Sequence, residues 1–135
     1  MTTRPVLALL ALLLAAPGWM APARAEGEGG ADILVLFDQF VSAGAAASRC
    51  ASPSDAVAVR FLSNFQWVSM HATRELIRRI PQATNDEVAE ALARRSQAIK
   101  EKTHALVRSE GCDSDSVREL IQRFAVQSTW KPGES

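Results

Sequence analysis

Residues 52–80 read SPSDAVAVRFLSNFQWVSMHATRELIRRI, and this stretch decides the fold. At about 100° per residue, Val57, Ala58, Phe61, Leu62, Phe65, Val68, Ala72, Leu76 and Ile80 share one arc about 140° wide, the stripe that a helix buries against neighbours. Ser52 as N-cap, Pro53 at the first helical position and Asp55 in the first turn mark its start. Pro81 marks its end, because the residue before a proline is pushed out of the helical region. So long an apolar stripe needs other helices to cover it.

The flanking sequence supplies three. Residues 32–49 form a first helix with Asp32 as N-cap and Ile33, Leu36, Phe37, Phe40, Val41, Gly44 and Ala47 at the three-and-four spacing of a buried face. Residues 44–47 carry almost no bulk, so they let a neighbour approach closely or leave a hollow. Thr84 and Glu87 form a capping box that opens a third helix, whose narrow stripe is Val88, Leu92, Ser96, Ile99, Thr103 and Leu106. Glu90 and Arg94 make an i,i+4 pair on its outside, and Gly111 ends it after Glu110. Residues 113–116 offer several N-caps, including Ser116 with Glu119 three residues on, to a fourth helix that turns Val117, Leu120, Ile121 and Phe124 inward and ends near Ser128. Trp130-Lys131-Pro132-Gly133 reads as an irregular tail.

The expected fold is therefore all-α, a small antiparallel four-helix bundle of up-down-up-down topology stapled by one disulfide. The first and third connections lie at the same end of such a bundle, and Cys50 sits in one and Cys112 in the other. The helix pattern and the cysteine pair support each other independently. At 1.5 Å per residue the middle helices reach about 40 Å and the outer two about 25 Å. The hairpin end at residues 77–88 should overhang: either the entry segment and the Trp130 tail fold back over Ile77, Ile80 and Val88, with partial cover by the tail the favoured outcome, or that end is an exposed partner surface.

The N-terminus carries Arg4, an apolar run over residues 6–16, then Ala23-Arg24-Ala25, the layout of a secretory signal peptide cleaved after Ala25. The apolar run is well short of the roughly 20 residues of a membrane span. The expected organisation is signal peptide 1–25, flexible entry 26–31, helical domain 32–128 and tail 129–135. Cleavage removes 25 of 135 residues and leaves 110, one domain's worth. Of 15 Lys+Arg and 15 Asp+Glu, Arg4 and Arg24 leave with the peptide, so 13 basic groups face 15 acidic ones, a formal charge of −2. That balance argues against nucleic-acid binding. A periplasmic or secreted location suits two cysteines in a disulfide better than in a metal or redox site.

Chemistry leaves few marks. G-x-S-x-G, H-E-x-x-H, phosphate-cradling glycine loops and the Rossmann fingerprint are all missing. His71 and His104 would lie some 13 Å apart along an antiparallel hairpin, too far to share a metal. No catalytic residue, metal site or cofactor is expected. The remaining feature is the second face of the long helix, where Arg60, Trp67, His71, Arg74 and Arg78 fall within about 60° of one another, with Asn64 at the edge. Guanidinium groups beside an aromatic ring recognise carboxylates or phosphates. The plainer alternative is a solvated flank in which Arg74 and Arg78 pair with Glu90 and Glu87. Val59, Met70 and Ile77 form another stripe, suited to packing within the fold or against a second copy.

In outline, a signal peptide followed by a small helical domain with Cys50, Cys112 and an acidic start at residues 113–115 resembles the periplasmic acid-stress chaperones. The helical content is also loosely similar to exported all-helical chorismate mutases. That second resemblance implies a buried Arg and Lys cluster for a dicarboxylate, whereas Arg60, Arg74 and Arg78 point away from the core arc and only Arg79 points toward it. Neither resemblance reaches a motif, and no family is assigned. The expected function is a non-enzymatic periplasmic interaction or binding module, with a protein partner or a second copy at the hairpin and the Arg/Trp face. The alternative is an anionic-ligand site, possibly chorismate-mutase-like, roofed by that face and the hollow at residues 44–47.

Overall fold

The computed structural model describes residues 32–133. The signal peptide and flexible entry expected over residues 1–31 lie outside the described residues, as do residues 134–135. Four helices follow in order: α1 (Ile33–Cys50), α2 (Asp55–Arg79), α3 (Asn85–Glu110) and α4 (Asp115–Thr129). They pack against each other as an all-α bundle, with no strand among the described residues.

Each helix starts on a side chain that satisfies an otherwise orphaned backbone donor. Asp32 accepts from the Leu34 N–H at 3.0 Å. Thr84 accepts from Glu87 N–H at 3.2 Å while the Glu87 carboxylate accepts from Thr84 N–H at 2.8 Å, the reciprocal capping box. One start differs from expectation. Ser54, not Ser52, caps α2, accepting from Val57 N–H at 3.4 Å. Pro53 thereby falls outside the helix and Asp55 becomes its first residue, beside the free N–H groups. Of the caps expected over residues 113–116, Ser114 is the one that opens α4, accepting from Val117 N–H at 3.3 Å, which places Ser116 inside the first turn. Gly111 ends α3 at φ 82°, a left-handed conformation that a side chain would strain, and donates to the Val107 carbonyl.

Helix α1 packs against all three others, whereas α3 and α4 scarcely meet. The core runs along the α1–α2 seam. Phe40 is 1 % exposed, a burial worth about 2 kcal/mol or more by transfer area. Its ring lies 5.3 Å from Phe61, 6.0 Å from Phe65 and 5.9 Å from Trp130. Phe124 of α4 completes the cluster at 4.3 Å from Phe61. From α3, Leu92 joins the same core.

Two links between α1 and α3 run in the same direction along both helices. Arg95 donates twice to the Asp38 carboxylate, Nε to Oδ1 at 2.5 Å and a terminal nitrogen to Oδ2 at 2.7 Å. Further along, Cys50 and Cys112 form the disulfide, with Cα atoms 5.5 Å apart. The two helices are parallel, as alternating directions require, and the staple sits at one end of the bundle.

The other end departs from the expected overhang. Asp32 at the start of α1 meets Arg79 at the end of α2 (3.1 Å), so α1 reaches the hairpin. The tail does not reach it. Trp130 stops level with the middle of α2, its ring 5.5 Å from Trp67, and Asn64 Nδ2 donates to the Gln127 and Trp130 carbonyls, both at 2.7 Å. Val88 is buried without the tail, but Ile77 and Ile80 stay 38 % and 37 % exposed. Helix α1 is also long and apolar enough to cross a membrane. Its apolar side chains nevertheless line the bundle core.

Candidate functional site

The expected Arg/Trp face is present on α2, but its members separate into different tasks. Trp67 and His71 are half-buried and in contact, ring centroids 3.8 Å apart and planes tilted by 31°, with Trp130 closing one side. Arg60 lines a small cleft of about 210 Å³ with Ser63, Asn64 and Thr129 at the tail. Arg74 is exposed and makes no ion pair within the described residues. Arg78 is held by Glu75, donating from Nε at 2.9 Å and from a terminal nitrogen at 2.6 Å. The expected pairing of Arg74 and Arg78 with Glu90 and Glu87 does not form. Glu87 is committed to its capping box and Glu90 to Arg94 at 3.2 Å, both local partners reached at smaller entropic cost.

Arg79, placed toward the core by the helical wheel, is exposed instead, with Nε donating to Glu75 at 2.6 Å. Two guanidinium groups on one carboxylate hold the Glu75 carboxyl far below its usual range, at about 2, with the Arg78 hydrogen bonds contributing most. None of the three clefts, of about 630, 520 and 210 Å³, is lined by two of Arg60, Arg74, Arg78 and Arg79. The stripe of Val59, Met70 and Ile77 is not covered by another helix either; their exposures are 60 %, 44 % and 38 %.

A different place has the concavity that these residues lack. At the disulfide end a groove of about 520 Å³ opens between the second half of α1, the first half of α2 and α3. Its floor is the small-residue run Gly44, Ala45 and Ala47, the hollow expected there, beside Phe40 and Val41. Phe61, Phe65 and Phe124 supply aromatic walls, and Leu62 stands at the side. Helix α3 contributes Lys100 and His104, one turn apart.

Local sequence explains the opening. The buried stripe of α3 faces α1, leaving the polar pair Lys100 and His104 to face the first half of α2, where an apolar pair would have closed the gap. Leu62 belongs to the core arc by periodicity yet is 61 % exposed, because nothing on α3 reaches over it. The Nε2 atom of His104 is enclosed and has no hydrogen-bond partner among the described residues. An enclosed polar atom left unpaired costs roughly 1–3 kcal/mol, so a site that keeps one is poised to gain from a polar ligand group.

Lys100 and His104 were not among the expected site residues. The signal that identifies them is their i,i+4 spacing on the flank of α3 that meets the small-residue run of α1, a relation visible only once the helices are docked. A second groove, about 630 Å³, runs along the outside of the α1–α3 seam past Val35, Gln39, Lys102 and Leu106. Its Asp38 is already occupied by Arg95. Among the described residues no three His, Cys, Asp or Glu side chains come together to hold a metal ion.

No family model, curated protein or solved structure matches this chain.

Proposed function

We propose that the protein is an exported, non-enzymatic binding module whose ligand site is the groove at the disulfide end. One observation carries the reading: a concave, almost wholly apolar space of about 520 Å³ beside the small residues of α1, inside the roughly 300–1,000 Å³ range of small-molecule sites. Export is supported by the n-region, apolar run and Ala23-Arg24-Ala25 end of the N-terminus, and by a cysteine pair suited to an oxidising compartment. The test is fluorescence of the neutral apolar dye N-phenylnaphthylamine. Binding to the wild-type protein and its loss in Ala58→Phe, which fills the groove from α2, supports the reading when both melt cooperatively. Wild-type protein that leaves the dye dark refutes it.

A second reading, a protein-interaction surface, is favoured by Met70 and Ile77, exposed two turns apart on α2 with the unpaired Arg74 between them. Envelope crosslinking through position 74 tests it, and a chain that stays monomeric and captures nothing counts against it.

A further inference from the structure

We infer that the groove takes an amphiphile with one apolar tail and an acidic head, a medium-chain carboxylate in its simplest form. The inference rests on the groove being the binding site proposed above, and it adds what the ligand must look like. The tail follows from the lining, which is aliphatic and aromatic on α1, α2 and α4. Its volume lies in the lower half of the usual range for small-molecule sites, which favours one tail over two.

The head follows from charge. Lys100 is the only permanently charged side chain that lines the groove, and it is exposed and makes no ion pair within the described residues. No carboxylate lines the groove from any of the four helices. The acid next to Lys100 in sequence, Glu101, accepts a hydrogen bond from Gln97 one turn back along α3. An ammonium at the mouth of an apolar slot attracts an anionic head and leaves the tail to the slot. His104 lies one turn further along, and its enclosed Nε2 lacks a partner among the described residues. That nitrogen is closed to solvent at rest, so a carboxylate oxygen accepts its N–H only once the imidazole turns toward the groove. The two side chains thus offer one charged and one enclosed contact to the same head.

Displacement of N-phenylnaphthylamine by decanoate and by decanol tests the inference, with Lys100→Gln and His104→Leu compared with the wild-type protein. Either variant is expected to weaken decanoate by about tenfold and to leave decanol unchanged. Lys100 is exposed, so its variant should fold as the wild type does, which a thermal melt checks. If the dye binds but both variants keep decanoate affinity within about twofold, the acidic head is wrong and the apolar groove stands. If the dye does not bind the wild-type protein, both readings fall together. Sedimentation with phosphatidylglycerol vesicles that leaves the dye in place and is lost in Lys100→Gln would assign the lysine to a membrane surface and overturn the inference.

Discussion

Phe61 lies so close to the backbone of α1 that a Cβ atom added at Gly44 would sit 3.2 Å from two of its ring carbons. The ring also forms part of the groove wall, so residue 44 sets how far Phe61 can lean back. Gly44→Ala is therefore expected to push the ring and reduce dye binding several-fold. Stability should change by no more than about 1 kcal/mol, because better helix propensity offsets the crowding. Paired dye titrations and thermal melts separate the two effects.

The Cys50–Cys112 bond spans 62 residues. Closing a loop of that length contributes about 4 kcal/mol in the chain-entropy model. Reduction, or the Cys50→Ser and Cys112→Ser pair, should lower the melting temperature markedly. Oxidised and reduced protein melting together would mean that the bond contributes little to the fold.

Asn64 uses both hydrogens of its carboxamide on the Gln127 and Trp130 carbonyls. Asn64→Ala leaves two acceptors without their donor and should cost about 1–3 kcal/mol. Tryptophan emission should shift to the red as Trp130 leaves Phe40 and Trp67. An unchanged spectrum would show that the aromatic contacts alone hold the tail.

Arg95 and Asp38 present the planar two-bond geometry that lysine cannot reproduce, yet their side chains are 41 % and 35 % exposed. Solvent screening limits such a pair to about 1 kcal/mol. A double-mutant cycle with Arg95→Met and Asp38→Asn should give a coupling energy under that value. A larger one would show that the pair holds the parallel register of α1 and α3 more firmly than its exposure allows.

Asp32, Glu75 and Glu87 all hold their protons more weakly folded than unfolded. The Leu34 N–H and then Arg79 lower Asp32; Arg78 and then Arg79 take Glu75 to about 2; the Thr84 N–H lowers Glu87. Depressed carboxyls stabilise the fold above their unfolded values, near 4. That contribution is lost as pH falls through the folded values. Stability should be level above about pH 5 and decline toward pH 2. The decline should be shallower in Glu75→Gln, and also in high salt because Asp32 and Glu87 are exposed. A decline of equal slope in Glu75→Gln would remove Glu75 from the account.

Much of the bundle is legible before any coordinate is known. Thr84 with Glu87, Gly111 before Cys112, and the apolar period of residues 57–76 each act within a few residues, so sequence reports them directly. The cap of α2 shifts by two, from Ser52 to Ser54, because serines crowd that connection and each hydroxyl can reach an N–H; the same crowding leaves the cap of α4 open over residues 113–116. Leu62 could not be placed by period alone. Its exposure depends on what α3 presents opposite, and that is settled by docking angle, not by its own spacing. The Arg/Trp face shows the same limit. The helical wheel groups its members, but Glu75, lying between Arg74 and Arg78 in the chain, takes Arg78 before any ligand can. Lys100 and His104 show the converse, since each is unremarkable on its own helix and acquires meaning only across from Gly44.

The Cys50–Cys112 bond makes a closed ring of the chain, and α4 lies outside it. Detaching α4 strains no covalent link, but it breaks the most extensive helix–helix interface of the bundle, that of α1 with α4, together with the Phe124 contact and the two Asn64 hydrogen bonds. Departure of α4 is thus held back by packing and by no covalent link, and Phe124→Ala should speed amide exchange along residues 115–129 more than in α2. Because Phe124 is part of the groove wall, the same excursion offers a guest too large for the resting mouth a way in.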